Sequence, residues 1–163
     1  MNSLFFCEIM VKYRFLTDEE LTELEVEFKQ FVITNGLHDD EWRVLNRDHP
    51  TKAKEVVGMF SDVILDKVFT QTKYLMHHSN DKIKIFHFTA SKAVMIGLDF
   101  EGEKFIPEEG LMDFIRDNIS KFKIYKASKD YDKDLRNKEI YALVRNGAEK
   151  VDEKWFRFFS ELT

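Results

Sequence analysis

Residues 73–100 read KYLMHHSNDKIKIFHFTASKAVMIGLDF. Apolar and polar side chains alternate through most of this stretch, the period of a strand with two different faces. Two interruptions divide it. Asn80-Asp81 and Ala90-Ser91 suit two-residue hairpin turns, although neither contains the glycine of the strongest turn signal. Three strands follow: Lys73 to Ser79, Lys82 to Phe88 and Lys92 to Phe100. Turns of that length also fix a register, with Tyr74 across from His87 and His78 across from Ile83. Tyr74, Met76, His78, Ile83, Ile85, His87, Val94, Ile96 and Leu98 then share one face. Leu75, His77, Lys84, Phe86, Phe88 and Met95 share the other. Both faces carry aromatics, so helices are expected over part of each.

Working outward, the period becomes helical on either side. Thr17-Asp18-Glu19-Glu20 is a capping box: the Thr17 hydroxyl accepts from the Glu20 amide and the Glu20 carboxylate reaches back. Leu21, Leu24, Phe28, Phe31 and Val32 continue a helix that stops at Asn35-Gly36. A short helix over Asp39 to Arg47 follows. Asp48 is placed to cap the next, which has Pro50 in its first turn and runs to about Thr70. Val56, Val57, Phe60, Val63, Ile64 and Val68 form its stripe, widened by Met59, Leu65 and Phe69. Beyond the hairpins, Pro107 with Glu108 and Glu109 opens a helix carrying Leu111, Phe114, Ile115 and Ile119. Lys121 to Ala127 alternates as a fourth strand, at an edge guarded by its lysines. A helix from about Asp130 ends at Asn146-Gly147. Asp152 caps a last helix with Trp155, Phe158, Phe159 and Leu162 at docking spacing.

The fold expected is therefore α+β: a three- to four-stranded antiparallel meander packed with about six helices from the N- and C-terminal parts. At 163 residues, 44% of them hydrophobic, the whole chain 1–163 reads as one domain. Residues 1 to 9 read as a loose arm or as preceding a cleaner start at Met10. The sixteen Phe suit a core, since each removes a large apolar area from water without a polar atom to satisfy. The single cysteine, Cys7, fits a reducing compartment. Without an 18-residue apolar run or a basic leader, a cytoplasmic location away from membranes is expected.

Chemistry-bearing patterns are sparse. Adjacent strand positions send His77 and His78 to opposite faces. His78 and His87 share a face but lie roughly 13 Å apart at strand rise, too far for one ion. No serine sits in a nucleophile elbow, and Ser61 inside a helix reads as a small packing residue. The sequence implies no metal, no cofactor and no catalytic set. One charge anomaly stands out: residues 121 to 138 hold seven cations against three aspartates, a local +4 that leaves −9 for the rest of a chain of net −5. Lys121, Lys123, Tyr125, Lys126, Lys129, Tyr131 and Arg136 interleave cations with rings, as a nucleic-acid or nucleotide surface does. The net charge disfavours that partner, and an edge strand beside a solvated helix face explains the same residues.

The stretch from Met10 through Leu21, together with Phe60-Ser61-Asp62, the Lys-Ile-Phe-His-Phe strand around His87, Ser128 to Tyr131 and Asn146-Gly147-Ala148, resembles an uncharacterised family of small Bacteroidota proteins. The resemblance spans most of residues 10 to 148, with Phe15 as a departure where a second basic residue is expected. It implies a bacterial cytoplasmic protein and Met10 as the start. It carries no activity. The function expected is a non-enzymatic protein-interaction or adaptor module, with a protein partner or a second copy meeting Phe156 and whichever of Phe158 and Phe159 faces outward. Nucleic-acid or nucleotide binding through 121–138 is the alternative. An enzyme with a pocket near His87 is the third reading.

Overall fold

The structure, a computed structural model, describes residues 11–163. The proposed arm 1–9, Cys7 and the start at Met10 lie outside the described residues. The chain divides into two compact units, Met1–Val68 and Phe69–Thr163.

In the first unit, helices α1 (Asp18–Glu23), α2 (Glu25–Thr34), α3 (Asp39–Asp48) and most of α4 (Pro50–Gln71) enclose Val32, Val56, Phe60 and Leu65. The Thr17 capping box is formed: the Glu20 amide donates to Thr17 Oγ1 at 3.2 Å, and the Thr17 amide donates to the Glu20 carboxylate at 2.9 Å. The Arg14 guanidinium joins that carboxylate, and these bonds hold its pKa down at about 2. The expected single first helix is in fact two. Leu24 leaves helical geometry at φ −100°, ψ 22°, although the apolar stripe runs straight through it. Gly36 closes α2 at φ 81°, a left-handed conformation that favours glycine. Asp48 does not cap α4. It ends α3, and its carboxylate takes the Arg47 guanidinium at 2.8 Å. Ser61 is fully buried and spent on structure, accepting from the Leu16 amide at 3.0 Å and donating to the Val57 carbonyl at 2.7 Å. The expected α4 stripe is narrower than its sequence suggests, because Met59 and Val63 are about half exposed.

The second unit is built on β1 (Tyr74–His78), β2 (Lys82–Phe88), β3 (Lys92–Phe100), β4 (Phe122–Asp130) and β5 (Glu149–Lys150). Every pairing is antiparallel, in the order β4-β3-β2-β1-β5. The meander and its register are as the turns require, with Tyr74 opposite His87 and His78 opposite Ile83. The fold is α+β. The short β5 was not expected; it adds to the outer side of β1.

One sheet face, with Ile83, Ile85, Ile96 and Leu98 fully buried, packs against α5 (Leu111–Asp117) and α7 (Glu153–Glu161). The other carries Leu75, Phe88 and Ala93 under α6 (Lys133–Arg145). Pro107 does not open α5. Gly110, at φ 64°, takes a left-handed turn first and the helix starts at Leu111. Nor does α6 begin at Asp130, which ends β4 instead. Asp132 caps the helix by accepting from the Leu135 amide at 2.9 Å.

Candidate functional site

The basic stretch, 121–138, is split by the fold into three separate environments. The first is the outer edge of β4. Lys121, Lys123 and Lys126 are exposed there, with Lys123 and Lys126 on opposite sheet faces by strand alternation. Tyr125 lies flat over Gly97 and donates to Asp99 at 3.2 Å. A side chain at position 97 would meet the Tyr125 ring at 2.2 Å, so glycine makes room for that close approach.

The second environment is a corner around Glu139 of α6. Its carboxylate accepts from Lys129 Nζ and from the Tyr131 hydroxyl, while Lys129 also sits 4.9 Å from the Tyr131 ring centre. Burial tends to raise the Glu139 pKa, but these two donors outweigh it and the net shift is downward. Burial, and then the bond to Glu139, push the Tyr131 hydroxyl upward. Lys129 and Tyr131 are thus engaged within the protein.

The third environment holds Arg136, which the sequence places on a solvated face. It is 4% exposed. Its fork donates Nε to the Thr89 carbonyl at 2.6 Å, Nη1 to the Phe69 carbonyl and to Asn137 Oδ1 at 2.9 Å each, and Nη2 to the Thr72 carbonyl at 2.7 Å. These are four neutral acceptors. The guanidinium lies 5.8 Å from the buried Phe88 ring, and burial lowers its pKa. A cavity of about 310 Å³ opens beside it, lined by Lys73, Lys133, Thr70, Thr89 and Phe88.

The α7 aromatics correct the proposed interaction surface. Phe158 and Phe159 are 6% and 0% exposed, so neither faces outward. Both side chains enter the core between α5 and the sheet, and Arg116 covers the Phe158 ring at 4.9 Å. Phe156 is half-buried against Tyr74 and His87.

His87 stacks on Tyr74 with ring centres 4.6 Å apart, and Phe156 closes over it at 5.1 Å. Burial lowers its pKa. His77 pairs through Nε2 with the Asn146 carbonyl at 3.1 Å, whereas His78 lines a different cavity with Glu108 and Trp155. The imidazoles do not converge. Among the described residues, no group of three or more His, Cys, Asp or Glu gathers to hold an ion. No described helix is long and apolar enough to cross a membrane.

A family model described as a family of unknown function, DUF6495, matches residues 10–163. The chain belongs to that family. No curated protein and no solved structure matches it. The match runs through both compact units.

Proposed function

We propose that the protein is a non-enzymatic interaction module that docks an acidic, extended segment of a partner protein along β4. The open, lysine-lined edge of that strand carries the reading. The Glu101 amide donates to the Lys121 carbonyl at 2.9 Å, and the Tyr131 amide donates to the Ser91 carbonyl at 2.7 Å. Odd-numbered residues of β4 therefore bond to β3, because antiparallel pairs alternate. The amides and carbonyls of Phe122, Ile124, Lys126, Ser128 and Asp130 point outward. The β3–β4 register runs unbroken over nine pairs, without a bulge, and β4 contains no proline. Of the usual devices that blunt an edge, only charge remains.

That charge repels a second copy and attracts an acidic strand. Self-pairing centred on Lys126 sets Lys126 against its own copy and Lys123 against Lys129, like charges directly opposite. An Asp- or Glu-bearing strand meets Lys121, Lys123 and Lys126 instead. The −9 borne by the rest of the chain steers such a partner away from other surfaces. The dispersal of the cations and the net charge weigh against nucleic acid. The likeness to Bacteroidota proteins and the single cysteine support a bacterial cytoplasmic setting.

Amide hydrogen exchange with a synthetic extended peptide rich in Asp, Glu and Val tests this reading. Protection should rise at the amides of Ile124, Lys126 and Ser128 and stay unchanged at Lys123 and Tyr125. The double variant Lys123→Glu/Lys126→Glu should fold and lose the response. Protection that follows no alternation, or that a neutral peptide produces equally, removes the proposal.

A further inference from the structure

We infer that the cavity beside Arg136 is a binding site for a phosphoryl group, a compact dianion held by Arg136, Lys73 and Lys133. This site is separate from the β4 edge and does not depend on the docking reading.

The argument begins with a buried charge. An ionised side chain removed from water is costly unless an opposite charge accompanies it. Arg136 is 4% exposed, and all four of its hydrogen-bond acceptors are neutral. The Phe69 carbonyl belongs to the last turn of α4, whose dipole supplies roughly half a negative charge at that end. Half of the guanidinium charge is left over. Lys73 and Lys133 line the same cavity and add two more cations, and no carboxylate lines it. The nearby Asp132 carboxylate is turned to its own helix, where it accepts from the Leu135 amide. A chain of net −5 has thus gathered three cations around one hollow.

The shape and donors of the cavity narrow the ligand. At about 310 Å³ it lies at the small end of ligand pockets, roughly 300–1,000 Å³. Thr70 Oγ1 accepts from Asn137 Nδ2 at 2.9 Å, which leaves its O–H to donate into the cavity. Ammonium groups, a hydroxyl and a planar guanidinium are the donors that phosphate oxygens take. A carboxylate brings one negative charge against an excess of more than two positive, whereas a phosphoryl dianion comes close to balance. The Phe88 ring gives the wall an apolar patch for whatever the phosphate is attached to.

The test is an amide-shift titration of the full chain with inorganic phosphate, phenyl phosphate, acetate and chloride at matched ionic strength. Phosphate should move the amides of Thr70, Thr89, Ala90 and Lys133 saturably, and acetate should bind more weakly. Tighter binding of phenyl phosphate than of inorganic phosphate supports an organic phosphate resting on Phe88; equal binding supports the phosphate alone. The double variant Lys73→Gln/Lys133→Gln alters two exposed side chains, so it should melt as the parent does and lose about tenfold or more in affinity. Lys123→Glu/Lys126→Glu should bind phosphate unchanged, which separates this site from the β4 edge. Shifts identical with chloride, equal binding of acetate, or full affinity in the Lys73→Gln/Lys133→Gln variant overturns the assignment.

Discussion

Lys129 and Arg136 stand seven residues apart in one basic stretch, and the fold treats them in opposite ways. Lys129 is largely exposed, with 63% of its side chain accessible, yet it has a carboxylate of its own in Glu139. Arg136 is buried and has only carbonyls and one amide oxygen. Placement by polarity alone would reverse these assignments, because water readily solvates the first charge and reaches little of the second. The difference separates two uses of a cation. At the Glu139 corner the charge is cancelled locally, and the corner ties the end of β4 to α6. At Arg136 the planar fork gathers three backbone carbonyls from separate segments: the end of α4, the entry to β1 and the β2–β3 turn. The positive charge remains as a surplus beside a cavity.

Removing the fork should have the largest effect. Arg136→Met removes the donors that tie the Thr89, Phe69 and Thr72 carbonyls to one side chain, three hydrogen bonds in all. At about 1 kcal/mol for each, the loss is about 3 kcal/mol in a urea titration. Arg136→Lys should fall between, since one ammonium keeps the charge but cannot span all three carbonyls. If Arg136→Met is as stable as the parent, the contrast with Lys129 fails, and the guanidinium is not a structural anchor.

The Glu139 corner should matter less and depend on pH. Its carboxyl is held below the ordinary value in the folded protein, with the Lys129 and Tyr131 donors outweighing burial. A group shifted in that direction contributes stability that is present above its unfolded pKa, about 4.3, and lost as pH falls through the lowered folded value. Glu139→Gln should therefore cost about 1 kcal/mol near neutrality and progressively less on acidification. A cost that persists at low pH would show that packing, rather than the charged bonds, accounts for the corner.

Much of this was legible in the sequence, and the exceptions share a cause. The meander follows from alternation and two-residue turns, which set Tyr74 against His87. Asp152 and Asn35-Gly36 marked helix ends through local chemistry alone. The helix break at Leu24 was hidden, because Leu24 fits the stripe it interrupts. β5 is two residues long and has no period to read. Phe158 and Phe159 were misplaced because neighbouring helix positions rarely both face inward, and α7 sinks between α5 and the sheet deeply enough to bury both. Arg136 carried a usable signal. It stands four residues before Ile140, on the same helix face, and Ile140 is fully buried. Residue type argued for solvent and spacing argued for the core, and spacing was the better guide.

The smallest effect is expected at Lys129, and it completes the comparison. Its pairing with Glu139 lies at the surface, where solvent screens the attraction and ordering a lysine offsets part of the gain. Lys129→Gln should cost a few tenths of a kcal/mol, within about 0.5 kcal/mol of the parent, and the cost should shrink further in concentrated salt. Arg136→Met should lose nearly the same stability at low and high salt, because its losses are hydrogen bonds to neutral carbonyls instead of a screened charge pair. Measuring both variants by urea unfolding at two ionic strengths sets the pair side by side. A Lys129 effect as large as that of Arg136, or an Arg136 effect that salt abolishes, would mean that both positions act through surface electrostatics and that burial does not divide them.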